Sequence, residues 1–382
     1  NFFISKLNIQ TIKNYFLPYN FVLLIIFIFS FMLRLTGINW DSGYLFHPDE
    51  RAILMHGYDL TFDSINSFDF FNADASTLNP KWFNYGSLPV YFVKILSLLS
   101  NIFTNTSIYD LRIPLRITSA LIDSITVIFI YKFSLIFLSK KWSLFVAFLL
   151  SLSVINIQNS HYFTTDIFIT NFSLLIIYFS YLNIKETSIS KSIILGLLFA
   201  LGLAFKFSFI MIIIPIFLSY FLAKKCNGIS YLNLLTYIST FLITSIFSLF
   251  IFQPYMFLDF STYFAHINEQ SKMVRGILDF PYTRQYIETT SFIYPITQIF
   301  KWGLGPILSV FGFLGFIYFL FFSIKKRSLM GFLIFSWFIP YFLINGSFQV
   351  KFMRYFLPLI PFIIFCRQVF NKKLTLKIGD FR

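Results

Sequence analysis

Long apolar runs alternate with short polar connectors along almost the whole chain. About 20 apolar residues cross a ~30 Å hydrocarbon layer, and residues 16–35 form the first such run. A polar, acid-rich stretch follows over residues 37–111. Inside it, residues 88–103 are apolar but open on Gly86-Ser87-Leu88-Pro89 and contain Lys94. That pattern predicts an interfacial or re-entrant helix lying on the membrane, with a full crossing as the alternative. Further spans are predicted over 112–137, 142–157 and 167–184. The run 193–223 is broken only by Gly202 and Lys206, too long for one span and short for two. It predicts a tight hairpin of two short helices turning near Lys206. Spans over 232–252, 304–324, 329–344 and 355–370 complete a set of about ten. A second polar loop occupies 253–295. The fold class expected is all-α, a polytopic transmembrane helix bundle forming a single membrane-embedded domain over 1–382.

Composition agrees with that pattern. The 382 residues are 57% hydrophobic and 12% charged, with mean hydropathy +0.74. A soluble domain carries roughly 25% charged residues. The net charge of +14 is informative through its placement. Lys140-Lys141, Lys185 with Lys191, Lys224-Lys225, Lys325-Lys326-Arg327 and Lys372-Lys373 all follow alternate spans. The positive-inside rule puts these five connectors in the cytoplasm. Residues 37–111 hold eight acids against Arg51, Lys81 and Lys94, and fall on the opposite, outer face. The basic charge is thus a topology signal, and nucleic acid is not an expected partner. The two cysteines, Cys226 and Cys366, imply no disulfide framework.

Candidate chemistry gathers on the outer face. In Phe46-His47-Pro48-Asp49-Glu50-Arg51, two adjacent carboxylates repel near a low-dielectric surface, which would tune one of them as a general base for a hydroxyl. The same residues also suit a helix start, with Pro at the first position and acids in the first turn. Asp166, in His161-Tyr162-Phe163-Thr164-Thr165-Asp166, is either a second site acid or a helix cap. Lys206 is a costly cation at membrane depth, read as an anchor for an anionic lipid headgroup or as a snorkelling side chain. Lys272, Arg275 and Arg284 in the second loop, with His266 nearby, and Arg354 in the last outer turn are candidates for gripping phosphate oxygens. Asp123, inside the second span, is expected to pair with Arg116 or Lys132. His47 and His161 lie near the acids, but no close ligand spacing supports a metal site. No Walker motif, phosphate-cradling Gly-rich loop or GxSxG elbow is present. A sugar donor would therefore be lipid-borne rather than nucleotide-borne.

The order of these elements resembles the GT-C superfamily of membrane glycosyltransferases. It runs from a first span through an Asp-Glu pair opening a long loop, a Gly-Ser-Leu-Pro helix and a His…Thr-Asp turn to a Gly…Lys hairpin. The branch it looks most like contains the protein O-mannosyltransferases and the lipid A aminoarabinose transferase (glycosyltransferase family 39). Trp82-Phe83-Asn84-Tyr85-Gly86-Ser87-Leu88-Pro89, Gln253-Pro254-Tyr255 and Phe352-Met353-Arg354-Tyr355-Phe356-Leu357-Pro358 add to the likeness.

The resemblance implies an inverting glycosyltransferase that moves a sugar from a polyprenyl-phosphate donor to a hydroxyl acceptor (protein, lipid or glycan). It implies Asp49 as catalytic acid-base with Glu50 beside it, and Asp166 on the acceptor side. Lys206 and Arg354 fall near the donor phosphate, with Lys272, Arg275 and Arg284 assisting. His47, Arg51, Lys81 and His161 are supporting candidates. Asn84-Tyr85 stands where the aminoarabinose branch has Glu-Lys, so zinc is not expected. No cofactor is certain, and a divalent metal stays open. Members often carry a C-terminal soluble domain, which this chain is expected to lack. The alternatives are a transporter or flippase for an anionic lipid or solute, which would call for an internal repeat that the sequence does not show, and a non-catalytic relative that scaffolds partners.

Overall fold

The computed structural model describes residues 18–66, 68–103 and 105–367. Lys6, Lys13 and Lys372-Lys373 lie outside them. Among the described residues the chain is helical and contains no strand. The helices in chain order are α1 (Pro18–Leu35), α2 (Pro48–Tyr58), α3 (Ser87–Asn101), α4 (Arg112–Ser134), α5 (Lys140–Ser151), α6 (Val154–Ser160), α7 (Thr165–Lys185) and α8 (Ile189–Phe205). After a 3-10 turn over Phe207–Ile212 come α9 (Ile213–Asn227), α10 (Tyr231–Phe252), α11 (Tyr255–Leu258), α12 (Phe260–Val274) and α13 (Ile293–Gln298). Then follow α14 (Pro306–Lys326), α15 (Leu329–Ser347), a 3-10 turn over Met353–Leu359 and α16 (360–367).

Among the described residues, seven stretches are long and apolar enough to cross a membrane, and an eighth crossing is made if α5 and α6 count as one. The expected continuous span over 142–157 is corrected here: α5 and α6 meet at a 55° bend. The bend has an identifiable cause. Ser153 Oγ bonds Asn156 Oδ1 (2.9 Å), Asn156 Nδ2 donates to Asp123 Oδ1 (2.8 Å), and the Ser151 carbonyl accepts from Arg34 (3.1 Å). Side chains thus take up the backbone and polar groups that a straight helix would satisfy itself. The remaining two predicted crossings are the 17-residue α8 and α16, described as far as residue 367.

The chain breaks at Lys206 as expected: α8 ends there, a 3-10 turn follows, and both flanking helices pack on α7 rather than closely on each other. The first of them, α8, also packs against α10, where Gly196 lets the backbones meet: a Cβ there would lie 2.8 Å from the Phe241 carbonyl oxygen. Close approach through small residues is how apolar helices associate without a hydrophobic drive between them. α3 has 15 residues, about 22 Å at 1.5 Å each, too short to cross. One face buries Val90, Tyr91 and Val93 against the protein, while Ile95, Leu98, Leu99, Ile102 and Phe103 beside or beyond it stay exposed. That outward apolar face suits the predicted interfacial helix.

The two polar loops share a small core of their own, built from Leu60, Leu78, Phe83, Val90, Tyr91, Tyr255 and Tyr263. Asn79 Nδ2 bonds Asp259 Oδ2 (2.9 Å), and Tyr255 donates to the Phe70 carbonyl (3.0 Å). The two loops therefore form one cover over one end of the bundle. Cys226 and Cys366 are both free.

Candidate functional site

The site begins where α2 begins. His47 caps the helix: its Nδ1 accepts the Glu50 N–H at 3.3 Å. Pro48 occupies the first helical position and Asp49 and Glu50 the first turn, where the helix dipole favours acids. Successive helical residues point ~100° apart, so the two carboxylates diverge. Each finds its own guanidinium: Glu50 that of Arg116, Asp49 that of Arg354.

Glu50 faces inward. It is fully buried and takes hydrogen bonds from Arg116 at 2.8 and 2.6 Å and from the Phe163 N–H at 2.9 Å. Arg116 also holds Asp41 at 3.0 and 2.7 Å. Burial alone would raise the Asp41 carboxyl, but bonds from Arg116 and the Gly43 N–H bring it down to about 2. This cluster corrects two expectations. Glu50, fully buried and accepting three hydrogen bonds, is placed to anchor this cluster rather than to meet a substrate proton. Arg116 serves these acids, and Asp123 pairs instead with Arg34, 2.6 Å away, in a fully buried contact.

Asp49 faces the opposite way. Arg354 Nη2 lies 2.5 Å from its Oδ2 and Arg354 Nε lies 3.6 Å from Asp166 Oδ2. Asp166 Oδ1 in turn accepts from Lys206 Nζ at 2.8 Å. Two acids and two cations from four distant parts of the chain thus form one network. Exposure separates their capacities: the Asp49, Arg354 and Lys206 side chains are 19%, 18% and 16% exposed, whereas Asp166 is 2% exposed. Burial disfavours charge on Arg354, but Asp49, Tyr85, Tyr355 and Asp166 around it more than compensate and keep it protonated. The rings of Phe352 and Tyr355 lie under its guanidinium carbon at 4.6 and 5.9 Å, and Tyr355 also lies 4.7 Å from Lys206 Nζ. Cations held over aromatic faces keep a fixed orientation.

Lys206 opens into a cavity of about 320 Å³, with Tyr85 and Tyr355 near the charges and Phe207, Met211, Ile344 and Phe348 along the apolar wall. Lys206 follows the last residue of α8, and Gly86 fixes that helix end: its N–H donates to the Phe205 carbonyl at 3.0 Å.

The supporting candidates divide. His47 stacks on Tyr162 with ring centroids 4.3 Å apart. Burial pushes its imidazole down to about 4, against the pull of Asp49. His161 reaches the carbonyl oxygens of Ile157 (2.6 Å) and Thr36 (2.8 Å), tying α6 to the end of α1. Arg51 is exposed. Lys81 donates to the Asp74 carbonyl within its own loop. The second-loop bases are not brought to Asp49 or Asp166. Arg284 pairs with Asp279 at 2.7 Å in an exposed contact, Arg275 Nε donates to the Ser271 carbonyl, and Lys272 sits half-buried near the end of α12. Tyr85 is the residue that sequence reasoning missed. Burial, and then repulsion from Asp49, raise its phenol well above the ordinary value, so it stays a hydrogen-bond donor. Its place in the Trp-Phe-Asn-Tyr-Gly-Ser run was the available signal. Among the described residues no three His, Cys, Asp or Glu side chains come together as metal ligands.

Comparison with known proteins bears on this geometry. Residues 89–255 match the family model described as dolichyl-phosphate-mannose-protein mannosyltransferase. No curated protein sequence matches the chain. The archaeal oligosaccharyltransferase AglB from Archaeoglobus fulgidus, solved with an inhibitory peptide and a dolichol-phosphate, aligns with a TM-score of 0.55 at 15% identity, over 95% of this chain and 52% of that one. ArnT from Cupriavidus metallidurans, solved bound to undecaprenyl phosphate, aligns with a TM-score of 0.56 at 13% identity, over 94% of this chain and 60% of that one. The chain therefore spans between half and three-fifths of the length of these solved proteins, and shares their fold.

Proposed function

We propose that this chain, a GT-C membrane protein with a protein-mannosyltransferase-like segment, is an inverting glycosyltransferase using a polyprenyl-phosphate sugar donor and a hydroxyl acceptor. The observation that carries the reading is the network of Asp49, Asp166, Lys206 and Arg354, from which Lys206 reaches the lining of a largely apolar cavity. Its walls suit an isoprenoid chain, and its charged end suits a phosphate.

Lys206 and Arg354 are assigned to the donor phosphate. Arg354 offers up to five donors in a planar fork, more than Asp49 and Asp166 take up. Tyr85, held as a phenol, adds a neutral donor. The acceptor hydroxyl attacks the anomeric carbon from the face opposite the phosphate. Its proton goes to Asp49, the accessible carboxylate. The carbon–oxygen bond to the phosphate breaks, and the electron pair leaves with the lipid phosphate. A phosphate is a weak base, so the cations beside it suffice and no general acid is needed. Asp166, buried beneath Lys206 and Arg354, is assigned to positioning them rather than to taking the proton. The residues do not suit a resident divalent metal, because both acids already hold side-chain cations and, among the described residues, no third ligand joins them.

The lysine-rich connectors support an integral, multi-pass protein of the plasma or inner membrane, with the site on the non-cytoplasmic face. The test is Asp49→Asn, with membrane insertion verified and labelled polyprenyl-phosphate sugars supplied to membranes. Loss of a positioned base typically costs ~10²–10⁴-fold. Transfer at the unsubstituted rate would refute the assignment of the base.

A further inference from the structure

A second cleft opens beside the first. It measures about 610 Å³, runs between residues 286–291 and 347–351, and shares the Phe348 wall with the cavity that ends on Lys206. Lys351 lines it and is only 2% exposed. Its Nζ donates to Thr289 Oγ1 at 2.9 Å, the Gln349 carbonyl at 2.9 Å and the Thr289 carbonyl at 3.4 Å. The Thr289 hydroxyl proton is directed to the Tyr286 carbonyl (2.6 Å), which leaves a lone pair facing the ammonium. All three partners are neutral oxygens. Among the described residues, Lys351 belongs to no ion pair.

A buried ammonium without a counter-ion is costly, and burial depresses the Lys351 ammonium with nothing nearby to offset it. Neither acid of residues 275–292 is recruited: Asp279 is engaged by Arg284, and Glu288, which lines the cleft, is exposed. Arg275, exposed, also lines the cleft; its Nε is held by the Ser271 carbonyl (3.0 Å). The walls are fixed with respect to each other. The Val350 N–H donates to the Val274 carbonyl (3.1 Å), and Gly276 packs so tightly on Gln349 that a Cβ there would fall 1.7 Å from its side-chain oxygen. The cleft is therefore a preformed basic pocket with two cations against one peripheral acid.

We propose that this cleft is an anion-binding subsite in which Arg275 donates to a phosphate or carboxylate group and the buried Lys351 ammonium, its own donors already engaged, attracts it through charge. The inference rests on the cleft itself and stands apart from the glycosyl-transfer reading.

The test uses the purified full chain in phosphatidylcholine nanodiscs, with its melting temperature followed against inorganic phosphate at constant ionic strength. Phosphate also stabilises proteins generally by exclusion from their surface, so the readout is the difference between the wild type and the variants. A saturable rise of a few degrees is expected in the wild type. Lys351→Met should abolish the saturable part, and Arg275→Gln, at an exposed side chain, should weaken it several-fold even if Lys351→Met folds poorly. A second arm replaces a third of the phosphatidylcholine with phosphatidylglycerol. If a lipid headgroup is the ligand, the wild type starts at the raised temperature and phosphate adds nothing. If the ligand is water-borne, the lipid change has no effect and phosphate does. A saturable shift equal in all three proteins would make Lys351 a strut for the turn, and that result, or no shift in either arm, overturns the proposal.

Discussion

Gly86→Ala separates backbone freedom from space. Gly86 has φ −67° and ψ 166°, a conformation alanine adopts without strain. Space is the obstacle. A Cβ at this position would lie 1.8 Å from the Ala204 carbonyl oxygen and 2.9 Å from Gln253 Oε1. An ordinary contact of 3.4 Å requires the loop and the end of α8 to part by about 1.6 Å. The partner is backbone, so no side-chain rotation relieves it. Lys206 is two residues beyond Ala204, and its distance to Asp166 is set by that helix end. Misplacing a reacting or binding group by ~1 Å can cost ~10²-fold, so transfer by Gly86→Ala should fall about a hundredfold. The assay is transfer of labelled sugar from a polyprenyl-phosphate donor, normalised to protein that elutes as a monodisperse peak. Gly303→Ala, whose Cβ meets nothing closer than 3.4 Å, is the matched control and should retain activity. A Gly86→Ala rate within about threefold of wild type would show that the contact does not position Lys206.

Three further outcomes follow from the site. Arg116→Met leaves Glu50 and Asp41 buried without their guanidinium and should cost ~3–5 kcal/mol, read as a collapse in folded yield that Arg116→Met/Glu50→Gln partly restores. His47 titrates near 4 when folded and near 6.5 when unfolded. The unfolded chain therefore binds more protons between those values, and stability present above pH 6.5 is lost as pH falls toward 4, by up to ~3 kcal/mol. His47→Asn keeps a capping side chain without the titration, so its melting temperature should vary less over that range; an identical pH profile would assign the loss elsewhere. Treatment with a chelator should leave transfer unchanged, and a tenfold fall restored by a divalent metal would return the metal to the mechanism.

Much of the bundle could be read from the chain because apolar run length and lysine placement are local signals. The turn at Lys206 was legible for the same reason: one cation interrupts an otherwise unbroken run. The long-range pairings were not. Arg116 lies seven residues before Asp123 in the same helix, yet it reaches Glu50 and Asp41, while Asp123 reaches Arg34. Nothing local distinguishes those choices. The direction of each carboxylate in Asp49-Glu50 depends on which face of α2 is buried, which only packing decides. The second-loop arginines had the charge for phosphate, but their positions relative to Asp49 depend on how that loop folds over the bundle. The bend between α5 and α6 contains neither proline nor glycine, so periodicity alone could not place it.

The buried contact between Arg34 and Asp123 also has a dimension in time. The two residues are 89 positions apart. At a synthesis rate of about 5–20 residues per second, the arginine is made roughly 4–18 s before its counter-ion. Throughout that interval α1 carries an unneutralised guanidinium, which makes it a poor candidate for independent insertion. By this reasoning α1 would settle only once α4 has been made. Changing Asp123 would then strand an element completed long before it, and the defect would register as a failure of biogenesis rather than of the finished protein.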